Sequence, residues 1–251
     1  MTTIYLVRHA QASLGQANYD QLSALGQLQA KVLGQYLTTL FEQQPYIVTG
    51  TMQRHLRTAE LALQTHTSDY QLQSSTDWNE FDHRDILKQY TVSLGLTEQL
   101  QQALEQSKTT PKPLMTLLNT AMQHWMSSQD DSLYTESWNG FSQRIEKALG
   151  ELFTVIRQQQ CHHVVVFSSG GVISTVLGKI LALSPAKTLQ LNTALTNVSI
   201  STIHLPVSAA SWREAHVLSI NEHYYLRARK YWIGQTEQDQ IISEQALLTW
   251  V

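Results

Sequence analysis

Several features that often betray a protein's class are scarce in this chain. It has one cysteine in 251 residues. Cys161 therefore has no partner, which excludes an intramolecular disulfide framework and any zinc site built on several thiolates. Long apolar runs are missing too. The longest, Gly171–Leu183, is interrupted by Ser174, Thr175 and Lys179, whereas a membrane span needs about 20 mostly apolar residues. A basic leader is missing, since Met1-Thr2-Thr3 precedes only the short apolar stretch Ile4–Val7. Neither sign of charge dominates. Seventeen Lys and Arg against 20 Asp and Glu leave a net charge of −3. That balance argues against a broad nucleic-acid surface but leaves room for a small basic pocket. Glutamine is abundant but dispersed, and no internal repeat is visible. These absences predict a soluble, cytoplasmic protein with no membrane or nucleic-acid partner. A chain of this length can bury roughly 70–75% of its unfolded surface, so it needs no metal or disulfide staple.

What is present is an alternation of strand and helix signals. Thr3–Val7 reads as a short buried strand. Ser23 is a natural N-cap for a helix carrying Leu25, Leu28, Val32, Tyr36 and Leu40, with Pro45 beyond it. Tyr46–Val48 reads as a second strand, and Leu56, Ala59 and Leu63 mark the face of a second helix. The first 65 residues thus read β-α-β-α, which predicts an α/β fold with a mainly parallel sheet. From about Asp85 to Trp138 no convincing strand occurs. Glu98–Leu104 and the amphipathic Pro113–Trp125 predict a helical insertion over about 85–137. Ser137 opens a long helix through Phe141, Ile145, Leu149, Leu152 and Ile156. Val164–Phe167 is a further strand, followed directly by a helix, and Val198–Leu205 and Ala215–Ile220 read as two more. The expected architecture is a three-layer α/β/α domain spanning residues 1–251. Its tail beyond Gly234 is either a docked helix or frayed.

Ligands of open α/β sheets bind at the carboxyl ends of parallel strands. Three strands here end in chemistry-bearing groups: Arg8-His9, Thr49-Gly50-Thr51 leading to Arg54, and Ser168-Ser169-Gly170-Gly171. Clustered, they would put two guanidiniums, an imidazole, hydroxyls and a helix N-terminus in one crevice. Arg offers a fork matched to phosphate oxygens, and a helix start adds N–H donors and a favourable dipole.

These residues resemble a known family. Leu6-Val7-Arg8-His9-Ala10-Gln11 is similar to the Arg-His-Gly/Ala signature of the histidine phosphatase superfamily, the phosphoglycerate mutase-like enzymes. Leu22 to Ala30 is similar to that family's Leu-Thr-x-x-Gly-x-x-Gln-Ala helix start. Thr49 to Arg54, followed by Thr58-Ala59, resembles its Ser-x-x-x-x-Arg-x-x-x-Thr-Ala stretch. Trp78-Asn79-Glu80-Phe81 falls where the family places an acidic residue. Phe141 and Arg144 match its Phe-x-x-Arg helix, and Val166 through Ile173 falls at its second-histidine segment. The resemblance spans roughly residues 1–225.

It implies a metal-independent phosphomonoester hydrolase without a cofactor. His9 would be the nucleophile, and Arg8 and Arg54 would neutralise the phosphoryl oxygens. Glu80 would be the general acid and base, a role suited to a carboxyl whose pKa is raised by partial burial. Ser169, Gly170, Gln11 and Ser13 are candidate phosphate contacts; for Gln11 and Ser13 the alternative is loop capping. One departure stands out. The family usually has His-Gly-Gly where this chain has Ser169-Gly170-Gly171, and a serine hydroxyl carries no charge. His83 is the first candidate to fill that gap, ahead of His204 and His223, unless it is a solvated loop residue. His162-His163 reads as a surface pair preceding a strand, not a metal site. Arg57, Arg84 and Lys88 read as solvated charges or substrate contacts, and Trp125 and Trp138 as core. Two rival readings remain. One is a sugar-phosphate mutase, although Ala10 to Gly15 lacks the mutases' Gly-Glu-Ser-x-x-Asn. The other is a non-catalytic phospho-ligand-binding protein. The substrate class extends from a small phosphorylated metabolite to a phosphoprotein, and an oligomer is allowed.

Overall fold

Alternating apolar side chains along two central strands decide the layering. The computed structural model describes residues 1–13, 20–41, 43–64, 71–107 and 112–228. At its centre β1 (Thr2–Arg8) lies parallel to β4 (His163–Ser168), with Leu6 opposite Val166 and Arg8 opposite Ser168. Successive strand residues point to opposite faces. Ile4, Leu6, Val164 and Val166 therefore join one buried cluster, and Tyr5, Val7, Val165 and Phe167 the other.

The remaining strands extend this pair. β2 (Tyr46–Thr49) lies parallel to β4, and β3 (Leu72–Ser74) parallel to β2. On the other side β5 (Ile200–Leu205) runs antiparallel to β1, and β6 (His216–Glu222) antiparallel to β5. The sheet order is β3-β2-β4-β1-β5-β6. One face is covered by α1 (Ala24–Leu37) and α2 (Gln53–Leu63). The other is covered by α6 (Trp138–Gln159), α7 (Gly170–Ile180) and α8 (Pro185–Ala194). The three-layer α/β/α arrangement is the expected one. Ser23 and Ser137 cap α1 and α6, each hydroxyl accepting from a glycine N–H three residues on. Among the described residues no helix is long and apolar enough to cross a membrane.

The strandless middle forms α3 (His83–Ser93), α4 (Thr97–Gln106) and α5 (Lys112–Ser127). It is fastened to the domain by aromatic packing. Trp125 lies 5.0 Å from Phe81 and 5.8 Å from Phe141, ring centre to ring centre, and its indole N–H donates to the Glu136 carbonyl. Trp125 is core, as expected; Trp138 packs against it while partly exposed.

Element ends differ from the sequence reading for local reasons. α1 stops at Leu37 rather than Leu40, because the Thr38 and Thr39 hydroxyls bond back to the Gln35 and Tyr36 carbonyls. β5 starts at Ile200 rather than Val198, since Val198 has a left-handed φ of 53°. β6 is shifted to His216–Glu222. His163 opens β4 instead of preceding it and packs its ring against Tyr5, while His162 stays exposed. β3 and α8 go unforeseen. β3 has three residues with Leu72 its one apolar side chain, and α8 buries only Thr188 and Leu189. The tail beyond Gly234 lies outside the described residues.

Phe141, fully buried between the insertion and α6's own sheet face, should carry much of this junction. Phe141→Ala is expected to destabilise the protein by about 3–5 kcal/mol in urea unfolding; a loss below about 1 kcal/mol would show that the insertion is held elsewhere.

Candidate active site

β1, β2 and β4 all end at the same edge of the sheet, and their ends hold the site. β1 delivers Arg8 and, one residue on, His9. The His9 backbone is fixed on both sides: its N–H donates to the Ser168 carbonyl at 2.8 Å, and its carbonyl accepts from the Asn197 side-chain amide at 3.1 Å and the Val198 N–H at 3.3 Å. The strained left-handed Val198 therefore lies in the turn that holds this residue. Thr58 of α2 braces the next residue, accepting from the Ala10 N–H at 3.0 Å and donating to the Arg54 carbonyl at 2.6 Å.

The His9 ring is buried, and its Nδ1 lies 2.7 Å from the Ala10 carbonyl oxygen. A carbonyl can only accept, so Nδ1 carries the proton and Nε2 the lone pair. Burial pushes the imidazole pKa well below its usual value, and Arg54, Arg8 and His55 push it further the same way. The result is a neutral ring with a defined nucleophilic nitrogen at neutral pH.

Both arginines are anchored. Arg8 donates to the Leu195 carbonyl. Arg54, buried in the first turn of α2, forms an ion pair of 2.7 Å with Asp20, whose other oxygen accepts from the Gln53 N–H. Asp20 thus belongs to the site although sequence reasoning passed over it.

Glu80 reaches the site from the loop after β3. Its Oε2 accepts from the Gly171 N–H at 3.0 Å, in the first turn of α7. Burial raises the carboxyl pKa, and the Gly171 N–H, Arg54 and Arg8 oppose that rise without cancelling it. The approach requires glycine, since a Cβ on Gly171 would lie 2.2 Å from Glu80 Oε1. Arg144 of α6 holds the loop that carries Glu80. It pairs with Glu136 through two bonds of 2.7 and 2.8 Å and donates from Nη1 to the Thr76, Asp77 and Asn79 carbonyls. The Asn79 side chain ties the same loop to Thr51.

The other nominated residues fall in different places. Ser169 is buried at the N-cap of α7, followed by Gly170, whose Cα faces Asn192 and Arg8. The Gln11 side-chain oxygen accepts from the Ser23 hydroxyl, so it closes the start of α1. Ser13 pairs its N–H with the Gln21 carbonyl. His83 is half-buried at the start of α3, where burial depresses its pKa and Arg54 is near enough to contribute. His204 sits in register with Thr3, at the opposite end of β1 from His9. His223 lies beyond the edge strand β6 and contacts the Asn221 carbonyl. Arg57 is exposed and pairs with Glu60.

A second residue was missed as well. His55, next to Arg54, is fully buried with its ring centre 5.6 Å from that of His9 and its Nε2 2.6 Å from Ser169 Oγ. Its signal was position: it shares the first turn of a helix with an arginine of the crevice. Among the described residues no group of three or more His, Cys, Asp or Glu is arranged to hold a metal ion.

Residues 4–214 match the family model described as histidine phosphatase superfamily (branch 1). No curated protein matches the chain by sequence. Solved structures with the same fold include a phosphoglycerate mutase from Bacillus anthracis str. Sterne, at 20% identity and a TM-score of 0.61, covering 91% of this chain and 96% of the other. A phosphoserine phosphatase mutant from Entamoeba histolytica in complex with phosphoserine aligns at 18% identity and a TM-score of 0.60, over 90% and 100%. The alpha-ribazole phosphatase from Shigella flexneri aligns at 18% and 0.58, over 88% and 96%.

The two depressed imidazoles carry a stability consequence. Folded His9 and His55 bind protons less readily than the unfolded chain, whose histidines titrate near about 6.5. Their contribution is complete above that pH and is lost as pH falls through the window below it, each by at most about 1.4 kcal/mol per pH unit. His55→Gln is expected to flatten the fall in unfolding free energy between pH 7 and 5; an unchanged slope would show that His55 titrates normally in the fold.

Proposed function

Because this chain belongs to the histidine phosphatase superfamily, branch 1, we propose that it hydrolyses phosphomonoesters without a metal, through a phosphohistidine on His9. The observation that carries this reading is the His9 tautomer. The Nδ1–H bond to the Ala10 carbonyl leaves the Nε2 lone pair for attack, in a field of two arginines and beside a carboxyl whose pKa is raised. A protein that merely bound phosphate would need the arginines but not a neutral nucleophile or an acid.

In the first step the Nε2 lone pair forms an N–P bond as the P–O ester bond breaks. The leaving oxygen takes its electron pair and the proton of Glu80. Arg8 and Arg54 meet the charge that builds on the phosphoryl oxygens. In the second step ionised Glu80 takes a proton from water as that water's oxygen attacks phosphorus. The N–P bond breaks, its electron pair returns to Nε2, and inorganic phosphate leaves. The substrate is a small phosphorylated metabolite or a phosphoprotein in the cytoplasm, with the helices after Glu80 shaping the choice.

Single-turnover mixing with an aryl phosphate, without added metal, should give a burst of phenol and an acid-labile, base-stable phosphoryl adduct. Both should vanish in His9→Ala. No burst and no adduct, with inorganic phosphate still raising the melting temperature, would sink the enzymatic reading in favour of a binding module. Glu80 adds a pH signature. Protonated Glu80 is needed for a poor leaving group, so alkyl phosphate cleavage should fall as pH rises through its elevated pKa. In single-turnover phosphorylation, before the shared hydrolysis step, Glu80→Gln should slow alkyl esters by about 10²–10⁴-fold and aryl esters much less; equal losses on both in that step would rule out the acid role.

A further inference from the structure

His55 is buried beside the nucleophile, and no step above uses it. Three features of its surroundings point the same way. Its Nε2 lies 2.6 Å from Ser169 Oγ. Ser169 stands at the N-cap of α7, yet its hydroxyl accepts from no helix N–H, whereas Ser23, Ser137 and Ser184 all cap their helices. The other ring nitrogen, Nδ1, is buried without a hydrogen-bond partner among the described residues and faces Gly50, where a Cβ would come within 2.2 Å of it.

The tautomer follows from cost. A proton on Nδ1 would leave a buried N–H unpaired, and orphaned N–H groups are rarer and costlier than bare acceptors. The proton therefore sits on Nε2 and is donated to Ser169 Oγ. With that lone pair engaged, the serine keeps its own proton to donate elsewhere.

We propose that His55 and Ser169 act as one unit, in which the His55 N–H orients the Ser169 hydroxyl to donate to a phosphoryl oxygen of the group on His9. The unit stands in for the second histidine that the family usually carries at the position of Ser169. Ser169 is then a catalytic residue and His55 a positioning residue acting through it. An imidazole on α2 plus a hydroxyl on α7 replaces a single imidazole on α7. This inference rests on the phosphohistidine reading.

The test is a mutant cycle on the full-length protein, with p-nitrophenyl phosphate in single-turnover and steady-state assays. Ser169→Ala and His55→Leu should each slow phosphorylation by about 10²–10³-fold, chiefly in kcat with KM little changed. The double variant should be no slower than either single one, since the two groups form one device. His55→Gln, whose amide N–H can still reach Ser169, should stay within about tenfold of the unaltered protein. His55→Leu combined with Ser169→His should recover activity relative to the double loss. Multiplying losses, equal damage from Gln and Leu, or an unchanged rate in either single variant while the unaltered protein still forms its adduct would overturn the pairing. If the unaltered protein forms no adduct, the phosphatase reading itself has failed and takes this inference with it. A readout independent of variant folding is the ¹⁵N spectrum of the unaltered protein. The proton on His55 Nε2 is the expected result, and a proton on Nδ1 refutes the proposal.

Discussion

Arg8 and Arg54 lie close enough to His9 to disfavour its protonation, and burial acts in the same direction. Two positive charges are thereby collected around a ring that must stay uncharged. Such a cluster is unfavourable in an empty protein, and the surrounding structure offsets it. The Leu195 carbonyl takes part of the Arg8 charge, and Asp20 neutralises much of that on Arg54. Glu80 stays close but is not ionised as readily as an exposed carboxyl. An arriving phosphoryl group meets a site whose positive field is set in advance, so little reorganisation is needed when charge develops.

Convergence from three strand ends is possible only where backbone can approach side chain closely. Gly50 leaves room for the His55 ring, and Gly171 for Glu80 and Phe81. Each makes room for a side chain that a Cβ would displace. The site is therefore specified by absent side chains as much as by present ones.

The fold was largely legible because its signals are periodic. Strands such as Val164–Phe167 are continuous apolar runs, and Ser23 and Ser137 announce their helices by capping chemistry. Where periodicity fails the reading failed: β3 is too short, and α8 shows too little of itself to the core. The site was legible where a residue type stands at a strand end, as with Arg8 and His9, or opens the helix that follows a strand, as with Arg54. It was not legible where meaning depends on spatial pairing. Asp20 is defined by its contact with Arg54, and His55 by Ser169, 114 positions later. Gln11, two places after His9, likewise gives no hint in the sequence that its side-chain oxygen accepts from Ser23 at the start of α1.

Arg144 links parts of the molecule that would otherwise be independent. One side of its guanidinium grips Glu136, on the segment by which the chain leaves the helical insertion. The other grips the carbonyls just before Glu80. The helical insertion and the loop that carries Glu80 are thus two ends of one clamp. In an exchange of insertions between relatives, the modular unit is not α3–α5 alone. It must run through Glu136 to Arg144, or a transplanted insertion would arrive without the contacts that hold the Glu80 loop.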